Sequence, residues 1–270
     1  MYDLGIIGGM GSKATVAAFD RIVDYTLATC DQEHINIIVL NDARIPERTA
    51  SILKSQAGVA EALAKDFLIL EQLKVPVAVT ACNTSHYFIR RMLGGETPFS
   101  GRFIDTIEET ANYLEETYPD RPICVLGTSG LILSDIFGQG KQRNNIIYPD
   151  QDSQKTIMGI IGAIKSGANI ENEVLKTTRL LEALREKGND TIFVLACTEL
   201  SLLKDYLTPQ FTCVDVLDIT AICAILKSGY MINNKPEKYL ANIEYFMRHV
   251  QKTETLPRRK HSFMNIAVSS

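Results

Sequence analysis

Two stretches of the chain end an apolar run in Ala-Cys and then turn polar: VAVTACNTSH at 77–86 and TIFVLACTEL at 191–200. Cys82 and Cys197 stand 115 residues apart. Hydrogen-bonding side chains follow each thiol, Asn83, Thr84, Ser85 and His86 in one stretch and Thr198 and Glu199 in the other. A buried run that ends this way puts a thiol at the carboxyl end of a parallel strand, where open α/β sheets bind ligands. A free cysteine titrates near pH 8.5. A helix N-terminus contributes up to about 2 kcal/mol, equivalent to about 1.5 pKa units, which brings one thiol near neutrality. It would not ionise both, because two thiolates facing a small site repel. The residues leave two readings, two halves of one reaction or two inert buried cysteines.

Other chemistries fit the residues less well. His86 lies four residues beyond Cys82 on the same strand-to-helix corner and need not reach its Sγ, so a cap or supporting role is expected rather than a Cys-His-Asn triad. The four histidines, His34, His86, His249 and His261, form no short spacing, and none of the six cysteines sits in a CxxC pair, so no metal site is expected. Cys124, Cys213 and Cys223 read as buried small hydrophobes. A Cys82–Cys197 disulfide would require the fold to bring the two close, and it would inactivate or regulate a thiol enzyme.

The glycines of GGMG at 8–11 permit a tight turn that is either structural or a cradle for a small anionic or zwitterionic ligand. They complete neither GxGxxG nor GxxxxGK[ST], and Lys13 comes too early for a P-loop lysine. Arg48 in NDARIPER and Lys165 in AIKSG are surface cations if taken singly. If both turn inward they clamp a carboxylate. Glu199 either accepts from a substrate ammonium or is an exposed helix-start carboxylate.

The elements that must position these groups follow from periodicity. LGIIGG is strand then turn, and Val16, Phe19, Ile22, Val23 and Leu27 recur at helical spacing after it. INIIVLN at 35–41 reads as a strand, 55–73 as a helix, VPVAVTAC from Val75 as a strand, and 102–116 as a helix. The pattern then restarts with PICVLGTS at 122–129, helices over 154–166 and 171–187, and the strand DTIFVLACT. Gly8 and Gly127 are 119 residues apart, close to the cysteine offset, which points to two similarly built halves. The expected fold is α/β, with two similar three-layer domains, mostly parallel sheets and an active-site cleft between them. Residues 209–228 read as a strand and helix returning to the first half, which gives domains of 1–98 plus 209–270 and of 99–208. Beyond Lys252, the cluster Arg258, Arg259 and Lys260 reads as a solvated tail segment.

Composition sets the class. The chain has 270 residues, 46% hydrophobic and 22% charged, with a net charge of -4. That is ordinary for a soluble globular protein and offers no bulk attraction for nucleic acid or an anionic membrane. A secretory start and an apolar span of membrane length are both lacking, and the scattered cysteines read as reduced, so the cytoplasm is the expected location.

Taken in order, GIIGGMG at 5–11, IPERT at 45–49, ACNTSH at 81–86, IKSG at 164–167 and ACTEL at 196–200 resemble the aspartate/glutamate racemase family, in particular its aspartate racemase-like branch. The resemblance covers roughly residues 3 to 226. It implies cofactor-independent racemisation between two similar α/β domains, with Cys82 and Cys197 as the acid/base pair on opposite faces of the substrate Cα. It further implies that Asn83, Thr84 and Thr198 hold the α-carboxylate and that Met10 and Thr128 line the pocket. Arg48 and Lys165 match positions associated with the distal carboxylate, and Glu199 matches the acidic residue after the second Cys-Thr. A small acidic amino-acid substrate and a homodimer are implied as partners. Three positions depart from the branch: Ser12 replaces a common proline and is expected to cap the first helix turn, and Leu131 and Phe137 stand where threonine and tyrosine are common. These lost hydroxyls are expected to alter side-chain recognition. Glutamate or broad-specificity racemisation, a related thiol-dependent decarboxylase or isomerase, and a non-catalytic amino-acid-binding protein therefore remain as alternatives.

Overall fold

The computed structural model describes residues 1–95, 98–138, 145–185 and 190–249. The basic cluster at Arg258–Lys260 and the last two residues of the helix expected over 171–187 lie outside them.

The unbroken apolar runs become short strands, and the amphipathic segments become the helices that cover them. In the first half these are β1 (Leu4–Gly8), α1 (Ser12–Tyr25), β2 (Ile37–Asn41), α2 (Arg48–Leu53), α3 (Val59–Gln72), β3 (Val77–Thr80), α4 (His86–Leu93), β4 (Arg102–Phe103) and α5 (Thr106–Thr117). The second half repeats the plan with β5 (Ile123–Leu126), α6 (Ser129–Ser134), β6 (Ile146–Ile147), α7 (Gln151–Lys165), α8 (Ile170–Arg185), β7 (Ile192–Leu195), α9 (Thr198–Ser201), α10 (Lys204–Leu207) and β8 (Cys213–Asp215). It is followed by α11 (Val216–Lys227) and α12 (Glu244–His249).

Every strand pair is parallel, in two four-stranded sheets ordered β2-β1-β3-β4 and β6-β5-β7-β8. Strand order reverses between β1 and β3 and again between β5 and β7, and a crevice opens at the carboxyl ends of such neighbours. The glycine turn after β1 therefore adjoins the Cys82 turn after β3, and the Gly127 turn after β5 adjoins the Cys197 turn after β7. This equivalence is the physical content of the two nearly equal sequence offsets.

Some expected boundaries shift. Arg102–Phe103 pairs with Val77–Ala78 as β4, so the helix expected over 102–116 starts at Thr106, where Asp105 caps it by accepting from Glu108 N at 3.1 Å. The helix expected over 55–73 starts after Gly58, whose positive φ of 107° ends the preceding turn. β4 lies in the first sheet and β8 in the second. Both carry too few residues for a pattern to show their partner.

All twelve residues of α11 are buried, as expected of a helix that is apolar on every side but for Asp218, Thr220 and Lys227. It leaves β8 of the second sheet and packs on α1, α5 and β3. Around it one apolar core runs from Leu4, Ile6, Val77 and Val79 to Ile123, Val125, Ile192 and Val194. Separate clusters fill the outer face of each sheet, one including Leu63, Phe67 and Leu70 of α3, the other Ile157, Ile160 and Ile161 of α7.

A buried ion cluster reinforces this joint. Asp218 of α11 accepts from Lys204 Nζ of α10 at 2.7 and 2.9 Å and from the Tyr25 hydroxyl of α1 at 2.8 Å, and it pairs with Arg21 of α1. Asp218 and Lys204 are 1% and 2% exposed. Breaking a buried pair from one side strands the other charge, so Asp218→Asn should cost about 3–5 kcal/mol. Urea unfolding should show a lower midpoint at an unchanged slope. Among the described residues, no helix is long and apolar enough to cross a membrane.

Candidate active site

The first wall of the site is the turn after β1. Gly9 has φ +87°, and a Cβ there would lie 2.3 Å from the Asp42 carbonyl carbon, so only glycine fits. Thr15 fastens the turn by accepting from Gly9 N at 2.8 Å and donating to Gly11 O at 3.0 Å. Ser12 makes no cap. It is the first helical residue, with its hydroxyl accepting from Asn41 Nδ2 at 3.0 Å, and Thr15 holds the helix start instead.

Cys82 occupies the N-cap position of a 3-10 turn, Asn83–Ser85, directly beyond β3. Ser85 donates its hydroxyl proton to Cys82 O at 2.6 Å and accepts from the Thr80 hydroxyl at 3.0 Å. Cys197 holds the equivalent position at α9. Two hydrogen bonds cross between the halves beside these turns: the Thr198 hydroxyl donates to Ala81 O at 2.9 Å, and the Thr84 and Thr128 hydroxyls share a bond of 2.9 Å. Thr128 also caps α6 by accepting from Leu131 N at 3.2 Å. Gly130 lets α6 approach α2, since a Cβ there would lie 2.8 Å from Thr49 Cα.

The two thiols differ in their surroundings. Cys197 Sγ donates to Glu199 Oε2 at 2.9 Å, and Lys165 Nζ stands 3.7 Å from Glu199 Oε1. Burial, then the Glu199 charge and its hydrogen bond, push the Cys197 thiol well above its ordinary pKa, with Lys165 opposing. These surroundings favour the protonated form of Cys197. Burial pushes Cys124 and Cys213 up to about 12 and raises Cys223 as well, as their reading as inert hydrophobes requires. All six cysteines are unpaired.

Arg48 is the first residue of α2, and its side chain turns inward to leave the residue 8% exposed. Its Nη2 donates to Met10 O and its Nη1 to Pro46 O at 3.1 Å, while Nε is buried without a partner. Lys165 remains 37% exposed in its side chain, at the rim.

All ten residues singled out from the sequence line one cavity: Met10, Arg48, Asn83, Thr84, Thr128, Lys165, Thr198 and Glu199 surround Cys82 and Cys197. Glu47 and Thr49 also line it. Both lie inside the IPERT stretch, where attention to the cation passed over them. Leu131 and Phe137 do not line it; they are 1% and 0% exposed in the shared core, so their missing hydroxyls cannot touch a ligand in this arrangement. The cavity measures about 20 Å³, room for about one water.

Residues 7–225 match the model of the family described as Asp/Glu/Hydantoin racemase. The chain is 24% identical over 220 residues to the broad specificity amino-acid racemase RacX of Bacillus subtilis (strain 168), covering 78% of this chain and 92% of that one. Among solved structures it is similar to the Picrophilus torridus aspartate racemase, with a TM-score of 0.74, 25% identity, and coverage of 87% of this chain and 98% of the other. An aspartate racemase homologue from Pyrococcus horikoshii OT3 shares the fold at a TM-score of 0.67 and 18% identity, with coverage of 84% and 99%.

Proposed function

The chain belongs to the Asp/Glu/Hydantoin racemase family, and we propose that it interconverts L- and D-aspartate by proton transfer between Cys82 and Cys197, with no cofactor. The observation that carries the proposal is the placing of two thiols at equivalent strand ends of opposite sheets, on one cavity, with a carboxylate holding the proton of only one of them. In one direction Cys82 as thiolate removes the α-proton while Cys197 as thiol delivers its own to the other face. In reverse the protonation states exchange.

Asn83, Thr84 and Thr198 are the groups we assign to the α-carboxylate, where their hydrogen bonds oppose the charge that grows in the carbanion-like transition state. Glu199 faces the ammonium. Arg48 takes the distal carboxylate: its buried, unpartnered Nε costs stability unless an anion answers it. Lys165 adds charge at the rim. An amino acid does not fit a space of about 20 Å³, so binding requires the halves to part, which breaks the Thr198–Ala81 and Thr84–Thr128 contacts, and then to close on the substrate. We take the acting form to be a homodimer in the cytoplasm.

Broad specificity is the second reading. It is favoured by the neutralisation of Lys165 by Glu199, which leaves Arg48 alone to read a distal charge. Chiral analysis of single L- and D-amino acids, without pyridoxal phosphate, separates the two. Aspartate turnover at least about tenfold above neutral amino acids supports the first, equal turnover supports the second, and release of carbon dioxide in place of the enantiomer refutes both.

Glu199 offers a more local test. Its charge raises the Cys197 thiol, so Glu199→Gln should let that thiol ionise at lower pH. The alkaline limb of kcat in the direction that uses Cys197 as acid should then move to lower pH, as read from pH–rate profiles, and an unmoved limb would separate Glu199 from the ionisation of Cys197.

A further inference from the structure

His86 is fully buried beside the Cys82 turn, and the reaction as proposed makes no use of it. Both ring nitrogens are engaged. Nδ1 lies 3.1 Å from Asn83 O, which can only accept, so Nδ1 carries the proton. Nε2 is then the acceptor, 3.3 Å from the Thr106 hydroxyl at the start of α5. Phe103 of β4 packs on the ring with centroids 5.4 Å apart. The neighbouring Asp105 is held by Arg90 Nε at 2.6 Å, and Arg90 Nη1 reaches Ile136 O of the second half at 3.1 Å. Burial, partly opposed by Asp105, holds the imidazole below its usual pKa and therefore neutral.

Asn83 O is held from two sides by His86, by the backbone N–H that closes the 3-10 turn and by the ring Nδ1–H. In a trans peptide the C=O and the following N–H point in opposite directions. Holding the Asn83 carbonyl on the His86 side keeps the Thr84 amide turned away from the histidine, and Asn83 and Thr84 both line the cavity.

We propose that the His86 ring is a positioning group that adds a second clasp to the Asn83–Thr84 peptide plane beyond the backbone turn, so that the Thr84 amide N–H donates to the substrate α-carboxylate beside Cys82. The proposal rests on the racemase reading above. His86 itself neither touches substrate nor transfers a proton.

Two substitutions and one spectrum test it on the full chain. Asparagine carries its amide nitrogen at the position of Nδ1, and glutamine carries its own nearer to Nε2. His86→Gln is expected to lower kcat about 10²-fold, the cost of displacing a donor near the reacting centre. His86→Asn should recover most of that loss at a similar melting temperature. Equal activity of the two variants at equal stability would overturn the proposal, as would wild-type turnover in both. Nitrogen-15 spectra of the wild-type protein should show a neutral His86 protonated at Nδ1. Protonation at Nε2 would overturn it even if neither variant folds. If the wild-type protein racemises no amino acid, the racemase reading falls, and the spectrum still decides whether His86 holds the Asn83 carbonyl.

Discussion

Cys82→Ser and Cys197→Ser are each expected to lower the kcat of racemisation by about 10²- to 10⁴-fold in both directions, the range for loss of a positioned acid or base. A serine hydroxyl occupies the same place but does not ionise near neutral pH. Loss of either member therefore leaves one face of Cα without a usable proton carrier. The two variants should still differ. Cys197→Ser removes the ionisable group beside Glu199 while Cys82 keeps its place after β3, so solvent exchange should survive at Cα on the enantiomer whose proton faces Cys82. Cys82→Ser should leave exchange only on the other enantiomer. Near-wild-type turnover in either variant, checked by chiral chromatography, would remove that thiol from the mechanism.

Arg48→Met should abolish the advantage of acidic substrates, lowering kcat/KM for aspartate by about 10²- to 10⁴-fold with a much smaller change for a neutral amino acid. A hydrogen bond to a charged group contributes about 1.5–3 kcal/mol, and a carboxylate meeting the guanidinium edge forms up to two. The same guanidinium fastens Met10 O and Pro46 O, linking α2 to the turn after β1. The variant should therefore also lose about 1–3 kcal/mol of stability. Arg48→Lys should not rescue either effect, because an ammonium cannot serve both carbonyls and a ligand in the fixed fork that arginine provides. If aspartate and alanine turnover decline equally in Arg48→Met, the residue shapes the site and does not read a distal carboxylate.

Much of this was legible in the sequence because it is written in strongly patterned segments. Strands such as VAVT and IFVL are fully buried apolar runs, and the polar residues that follow them had to lie at strand ends. The nearly equal offsets of glycine turns and cysteines carried the two-fold plan, and the ordered motifs carried nine of the ten residues that meet on the cavity, Thr128 coming from the second glycine turn. What escaped depends on tertiary pairing. β4 and β8 carry two and three residues, too short for any period, and only their neighbours decide which sheet they join. α2 is six residues long and capped by Glu47, a local signal hidden by the more prominent arginine. The deep burial of Arg48 could not be read from its type, since an isolated long cation normally reaches water; the Met10 and Pro46 carbonyls that compensate it come from loops. The expectation that Leu131 and Phe137 alter recognition failed because a hydroxyl missing from the sequence says nothing about whether the position faces ligand or core.

The division of labour between the thiols is the central claim, and deuterium tests it without any substitution. A single enantiomer of aspartate is incubated with the protein in deuterium oxide, without pyridoxal phosphate, and both enantiomers are recovered at low conversion for mass analysis. If one cysteine removes the proton and the other returns one from solvent, the product enantiomer carries deuterium at Cα while the recovered substrate remains largely protiated, from either starting enantiomer. Deuterium entering substrate and product equally from the earliest times would contradict the two-thiol account, because it would mean that a single group serves both faces.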